Sequence, residues 1–359
     1  MNRFEYVRPA NVAEAVREAS APGAAYLAAG TNLVDLMKSG VMRPGTLVDI
    51  SRLPGLNTIE TLADGSVRIG ATVRNADLAY DDAFARRFPA VAEAILSGAS
   101  AQLRNAATMG GNVLQRTRCA YFTDAVSACN KRVPGSGCDA LAGENRLHAI
   151  LGWSEHCIAT HPSDMCVPLV ALDAIVELAG ANGHRDVPLE AFYRLPGDTP
   201  QIETVLAPGE LIVAVRLPAA AAAFAGNARY LKVRERTSYA FAVVSAAAAL
   251  RTEGGVIAEA RVALGGVALK PWRAWAAEEA LVGATPGPAA YQRAAEAALA
   301  DARPSGPDNA FKIALARRVV ARSLALAAAG TPATMPALPA SPFTNSQFTS
   351  PTSGVMAHV

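Results

Sequence analysis

Ala24-Ala25-Tyr26-Leu27-Ala28-Ala29-Gly30-Thr31-Asn32-Leu33 reads as a strand that passes through a glycine-containing turn into a helix, and this stretch decides the fold. The strand is predicted over Ala24 to Ala28 and the helix over Leu33 to Ser39. A second strand over Thr46 to Ile50 lies parallel to the first, because a helix crosses between them. The turn offers free backbone N–H groups at the positive end of a helix dipole, where phosphate is attracted. A helix over Val12 to Ala19 precedes it, and the unit ends near Pro54-Gly55, giving a first subdomain of residues 1–55.

Outward from there, residues 56–220 form a second unit that opens with a strand over Val67 to Ala71. Asn75 is expected to cap a helix over Ala76 to Tyr80, and a longer helix runs through Pro89 to Leu96. A second turn follows, Thr108-Met109-Gly110-Gly111-Asn112-Val113, whose paired glycines let a backbone approach a ligand closely beside hydroxyl and amide side chains. Order resumes in the apolar run Val167 to Leu178, and Leu211 to Leu217 alternates as a strand before Pro218. Ala219 to Ala225 reads as an alanine-rich hinge into a third unit, residues 221–330. That unit holds the apolar segments Ala240 to Leu250 and Ala260 to Leu264 and helices over Ala289 to Ala300 and Lys312 to Ala329. Residues 331–359 turn to Pro, Ser and Thr, a composition that buries no core and predicts a disordered tail. The fold class is α+β.

A chain of 359 residues exceeds one ordinary core and divides into two or three domains. With 51% hydrophobic residues and a formal charge of +2, it lacks the basic excess of a nucleic-acid binder. No charge-free apolar stretch of ~20 residues is present, so membrane insertion is not expected. Met1 to Tyr6 lacks the basic and apolar regions of a signal peptide. There is no GxSxG elbow, P-loop or GxGxxG fingerprint, which leaves hydrolysis, phosphoryl transfer and Rossmann-type NAD binding without support.

The thiols are confined to one region: Cys119, Cys129, Cys138 and Cys157, with Cys166 just beyond. Such a cluster points to a local soft-metal site, either iron–sulfur or zinc, because thiolates coordinate both. The spacing C-x9-C-x8-C-x18-C contains none of the tight Cys-x2-Cys pairs of zinc ribbons. Buried free thiols or disulfides are the plain alternative, and His148 or His156 could join a mixed zinc site. Arg116, Arg118, Lys131 and Arg132 are near in sequence to offset the negative charge of a thiolate cluster. Cys166 opens an apolar run and is expected to be a core residue rather than a ligand.

Four motifs together resemble the FAD-binding subunit of the xanthine dehydrogenase family of molybdenum hydroxylases: Ala28 to Leu33, Ile69 to Asn75, Thr108 to Asn112, and His161-Pro162-Ser163-Asp164. The resemblance extends to about residue 330. Within the family the chain looks most like the flavin subunit of bacterial periplasmic aldehyde oxidoreductases. There, segments like Gln115 to Cys119 and Cys129 to Cys138 are insertions, at about 115–160 here, that carry a [4Fe-4S] cluster.

The resemblance implies a two-part FAD-binding domain of the vanillyl-alcohol-oxidase/PCMH type and a smaller α+β C-terminal domain. FAD would lie between the first two units, its diphosphate held by Ala29, Gly30, Thr31 and Asn32 and further cradled by Thr108, Gly111 and Asn112. Asp164 would bond the ribose or a polar flavin edge, unless it serves as a helix N-cap, and Ile212 and Lys232 match positions near the flavin ring. The first turn departs from the commoner Gly-Gly-Thr-Asp through Ala29 and Asn32. Cys119, Cys129, Cys138 and Cys157 would ligate the cluster. The implied assembly is a heterotrimer with a small [2Fe-2S] subunit and a large molybdopterin subunit that oxidises an aldehyde. Electrons would reach the FAD here and leave to an external acceptor. Co-export beside a signal-bearing partner would make the chain periplasmic, the alternative being cytoplasmic. Two other readings remain: the flavin subunit of a reductive aromatic acyl-CoA enzyme, and a non-redox zinc scaffold.

Overall fold

A parallel three-stranded sheet opens the chain in the computed structural model, whose described residues are 1–333. Its strands are β1 (Glu5–Val7), β2 (Ala24–Leu27) and β3 (Thr46–Asp49), in the order β1-β3-β2. Both pairings are parallel, as the crossover helix Leu33–Lys38 requires. Helix Val12–Ala19 packs on this sheet; its N-cap is Asn11, whose Oδ1 accepts from Glu14 N at 2.9 Å. Sequence reading missed β1, which is only three residues long and exposed on two of them.

The second sheet is five-stranded, in the order β4-β5-β8-β6-β7: β4 (Ile59–Thr61), β5 (Val67–Gly70), β6 (Ile175–Gly180), β7 (Gly183–Pro188) and β8 (Leu211–Leu217). All its pairings are antiparallel. Its apolar face and the buried helix Pro89–Ser97 form the main core, which includes Ile69, Val91, Leu178 and Val215. The run Val167 to Leu178 is not one element: it divides into helix Cys166–Ala171 and strand β6, with Asp173 at φ 57 between them. An unbroken apolar run does not record a turn set by one left-handed residue. Asn75 is also not a cap. The N-cap of its helix is Arg74, and Asn75 is the first helical residue, buried at 5% exposure.

The third sheet is antiparallel, in the order β12-β11-β10-β9, with β9 (Ala228–Val233), β10 (Val244–Glu253), β11 (Val256–Gly265) and β12 (Trp272–Arg273). Helices Trp275–Leu281, Pro288–Ala298 and Phe311–Ala328 pack on it around Ala246, Val262, Val320 and Leu324. The expected hinge is instead a 3-10 helix, Ala219–Asn227, that buries Ala221 and Phe224. A polyalanine run carries no period that separates hinge from helix. Among the described residues no helix is long and apolar enough to cross a membrane. Past Ala333, the segment read as a tail lies outside the described residues.

Candidate functional site

The glycine turn after β2 and the turn before helix Met109–Val113 stand side by side and separate two cavities. One is about 560 Å³ and the other about 260 Å³, and both are lined by Gly30, Thr31, Asn32 and Gly111. Gly30 has φ +73, and an added Cβ would lie 2.7 Å from Val34 Cγ2, so the turn needs glycine there. Its carbonyl accepts from Val34 N at 3.0 Å, which starts the helix, while Thr31 and Asn32 N–H have no backbone partner among the described residues. Asn32 Oδ1 accepts from Arg116 N at 2.9 Å, leaving Asn32 Nδ2 buried without a partner.

The second turn is held from behind by the backbone just after strand β5. Met109 N donates to Val73 O and Gly110 N to Ala71 O, each at 2.8 Å. A Cβ on Gly110 would be 3.1 Å from Ala71 Cβ, so the first glycine of the pair serves packing. Gly111 faces the other way: an added Cβ would meet only Thr108 Oγ1, at 2.9 Å. Thr108 is the N-cap, its Oγ1 accepting from Gly111 N at 3.3 Å. Asn112 Oδ1 accepts from Gln115 Nε2 at 2.6 Å and Ser163 Oγ at 2.7 Å, which ties this turn to the His161–Asp164 motif. Thus Ala29, Gly30, Thr31, Asn32, Thr108 and Gly111 share the smaller cavity, with Asn112 on the larger one.

Asp164 lines the larger cavity but caps no helix. Its Oδ2 accepts from Lys232 Nζ at 2.8 Å and its Oδ1 from Tyr230 OH at 2.6 Å. Ser163 performs the capping instead, its Oγ accepting from Cys166 N at 3.1 Å. Lys232 and Ile212, matched by resemblance to one ring, lie apart: Lys232 is on the larger cavity and Ile212 on the smaller, beside Tyr26 and Ala29.

Sequence reading missed several wall residues of the larger cavity. Asn75 Oδ1 and Arg104 Nε are buried there without partners, and Ala99 (φ 50) and Tyr239 (φ 52) hold left-handed backbone on its rim. Asn75 alone had a signal, as the last residue of the quoted motif Ile69 to Asn75.

The inserted segment brings Cys119, Cys129, Cys138 and Cys157 onto one pocket, with Cys129 and Cys138 facing each other as a β-bridge. Burial pushes the Cys119 thiol up to about 12, and the thiols of Cys157 and Cys129 push the same way. The peptide N–H groups of Phe122 and Tyr121 pull it back down. Cys138 and Cys157 are raised by burial and lowered by the peptide N–H groups of Ala140 and Ile158, and of Ala159, respectively. Cys166 is elsewhere, wholly buried in the main core with its Sγ 3.2 Å from Tyr193 OH.

Among the described residues no group of three or more His, Cys, Asp or Glu is arranged to hold a metal ion, and the expected cluster rests on the four thiols sharing this pocket. The space the thiols line is about 10 Å³. The basic residues are also mostly committed. Arg116 and Lys131 pair with Glu203 at 2.8 and 2.7 Å, and Arg132 Nη1 donates to the carbonyls of Tyr121 and Phe122 at 2.8 and 2.9 Å. Lys131 still favours the Cys157 thiolate, and Arg118 lines the larger cavity. Of the two histidines considered as ligands, His148 has Nε2 3.2 Å from Cys119 Sγ, and His156 lines the pocket and accepts from Asn130 Nδ2 through its carbonyl at 3.2 Å.

Residues 2–220 match the family described as FAD binding domain in molybdopterin dehydrogenase, and residues 229–327 match the CO dehydrogenase flavoprotein C-terminal domain. The aldehyde oxidoreductase FAD-binding subunit PaoB of Escherichia coli K12 is 50% identical over 331 residues, 92% of this chain and 99% of PaoB. The chain belongs to the FAD-binding subunits of the xanthine dehydrogenase family. The carbon monoxide dehydrogenase medium chain of Hydrogenophaga pseudoflava is 30% identical over 90% of this flavin subunit and 96% of that protein. A solved structure of that organism's carbon monoxide dehydrogenase superposes with TM-score 0.71 at 30% identity, covering 91% of this chain and 98% of that one.

This flavin subunit is thus an oxidoreductase component of the molybdenum hydroxylase type and takes FAD as its cofactor. Its cavities fit that group. Two hollows meeting at a glycine cradle suit a dinucleotide whose diphosphate crosses the cradle, and the unpartnered Asn32 Nδ2 there is a ready donor to a phosphate oxygen.

Proposed function

We propose that this flavin subunit accepts electrons from a small [2Fe-2S] subunit and passes them to an external acceptor, inside a complex whose large molybdopterin subunit oxidises an aldehyde. The observation that carries the aldehyde reading is the 50% identity to PaoB along 99% of that subunit's length. FAD supplies the two-electron chemistry when bound. The chain's own residues hold and orient it. Ala29, Gly30, Thr31 and Asn32 present backbone N–H and an amide to the diphosphate. Thr108, Gly111 and Asn112 close the cradle from the other side. Ile212 lies at the end of the smaller cavity, and Asp164 with Lys232 sets a polar edge in the larger one.

We further propose that Cys119, Cys129, Cys138 and Cys157 hold a [4Fe-4S] cluster. Four thiols lining one pocket, with peptide N–H groups favouring three of the thiolates, support this reading. Metal would also stabilise the thiolate forms of Cys119, Cys138 and Cys157, which burial otherwise disfavours. The proposed compartment is the periplasm, reached folded beside a signal-bearing partner, with the cytoplasm as the alternative; cell fractionation separates them.

Co-expression with the two partner subunits is expected to yield a co-purifying complex that oxidises aldehydes. Its flavin and iron–sulfur absorption near ~450 nm should bleach on reduction, and acid precipitation should release FAD. A colourless zinc-containing chain, or a complex that turns over only in the reductive direction with an aromatic acyl-CoA, would overturn the reading.

A further inference from the structure

We infer that His148 is a positioning residue for the cysteine pocket: its imidazole donates a hydrogen bond to Cys119 Sγ and raises the reduction potential of the cluster proposed there. The inference rests on that cluster reading. His148 Nε2 lies 3.2 Å from Cys119 Sγ. A ligating thiolate has no proton to give, so Nε2 must carry the hydrogen. Nδ1 is buried and has no partner among the described residues, and the residue lines a third cavity, of about 340 Å³.

The ring is held in place through its own backbone. His148 N donates to Asn145 O at 2.9 Å, and its carbonyl accepts from Lys312 Nζ at 2.7 Å. Lys312 belongs to helix Phe311–Ala328 of the third sheet's layer, so the C-terminal unit fixes a group that touches the inserted loop. The His148 residue is only 8% exposed, so little solvent competes for its contact with the sulfur. An N–H directed at a ligand sulfur withdraws electron density from it and favours the reduced, more negative cluster. Cys119 directly follows Arg118, which lines the larger cavity.

Two measurements on the purified complex test this. In protein carrying ¹⁵N-histidine, pulsed EPR of the cryoreduced cluster should detect one histidine nitrogen and one exchangeable proton, both lost in His148→Phe. Redox titration should place the His148→Phe cluster at lower potential than the parent, with the flavin couple unmoved and His148→Gln, which keeps a donor, closer to the parent. No histidine coupling in the parent, or equal cluster potentials in parent and His148→Phe, would overturn the inference. If His148→Phe loses its iron, the parent's ¹⁵N signal alone decides. A parent complex with flavin but no iron would instead refute the cluster reading itself.

Discussion

Lys232 Nζ and Asp164 Oδ2 are joined at 2.8 Å in the wall of the larger cavity, with side chains only 4% and 10% exposed. Strand β9 supplies the cation, and the segment leading into helix Cys166–Ala171 supplies the carboxylate. Tyr230 OH donates to the other carboxylate oxygen, and Ser97 O accepts from Lys232, so both charges are hydrogen-bonded as well as paired.

Breaking such a pair from one side leaves a buried charge uncompensated. Asp164→Ala should lower stability by about 3–5 kcal/mol and reduce FAD content. Adding Lys232→Met should restore a large part of the stability. Urea melts of the single and double variants give the coupling; strictly additive losses would refute it.

The cradle predicts a separate failure. Gly111→Val places a side chain into the space between the two cavities while its backbone remains unstrained, so FAD content should fall with the fold and iron largely retained. Gly30→Ala should cost about 1–2 kcal/mol in addition to lost FAD, because its φ of +73 is left-handed. Full flavin occupancy in Gly111→Val would remove that turn from the site.

For the thiols, Cys166→Ala should cost about 1 kcal/mol and leave iron content unchanged. Ser at Cys119, Cys129, Cys138 or Cys157 should lose or convert the cluster. Iron analysis per flavin reads both outcomes, and iron loss in Cys166→Ala would exchange the ligand assignment.

Lys312 predicts a pH dependence. It is wholly buried, donates to the carbonyls of Leu147, His148 and Gly266, and burial lowers its pKa from 10.5 to about 7. A depressed lysine pKa means that the unfolded chain binds the extra proton between pH 7 and 10.5, so stability rises with pH across that window. The penalty is complete below pH 7. The parent should therefore gain stability relative to Lys312→Met from pH 7 towards 10, measured by urea midpoints at equal cofactor content. Parallel profiles would show that Lys312 is not the responsible group.

Local chemistry was legible in the sequence wherever one period or one residue type decided it. The parallel β2 and β3 pair, the glycine turn at Gly30, the alternating strand Leu211–Leu217 and the helix over Pro288–Ala298 follow from patterns within a dozen residues. The motifs Ala28 to Leu33 and Thr108 to Asn112 were readable as phosphate-suited turns because glycine and a free helix N-terminus act locally. Tertiary structure alone decided what these turns face. The Asp164–Lys232 pair spans 68 residues, and Asn75 Oδ1 and Arg104 Nε acquire meaning only where folding buries those atoms without partners. The same holds for His148 against Cys119 and for Lys312 beneath it: neither contact has any periodicity, and each exists because packing brings a polar group out of water against partners distant in the chain.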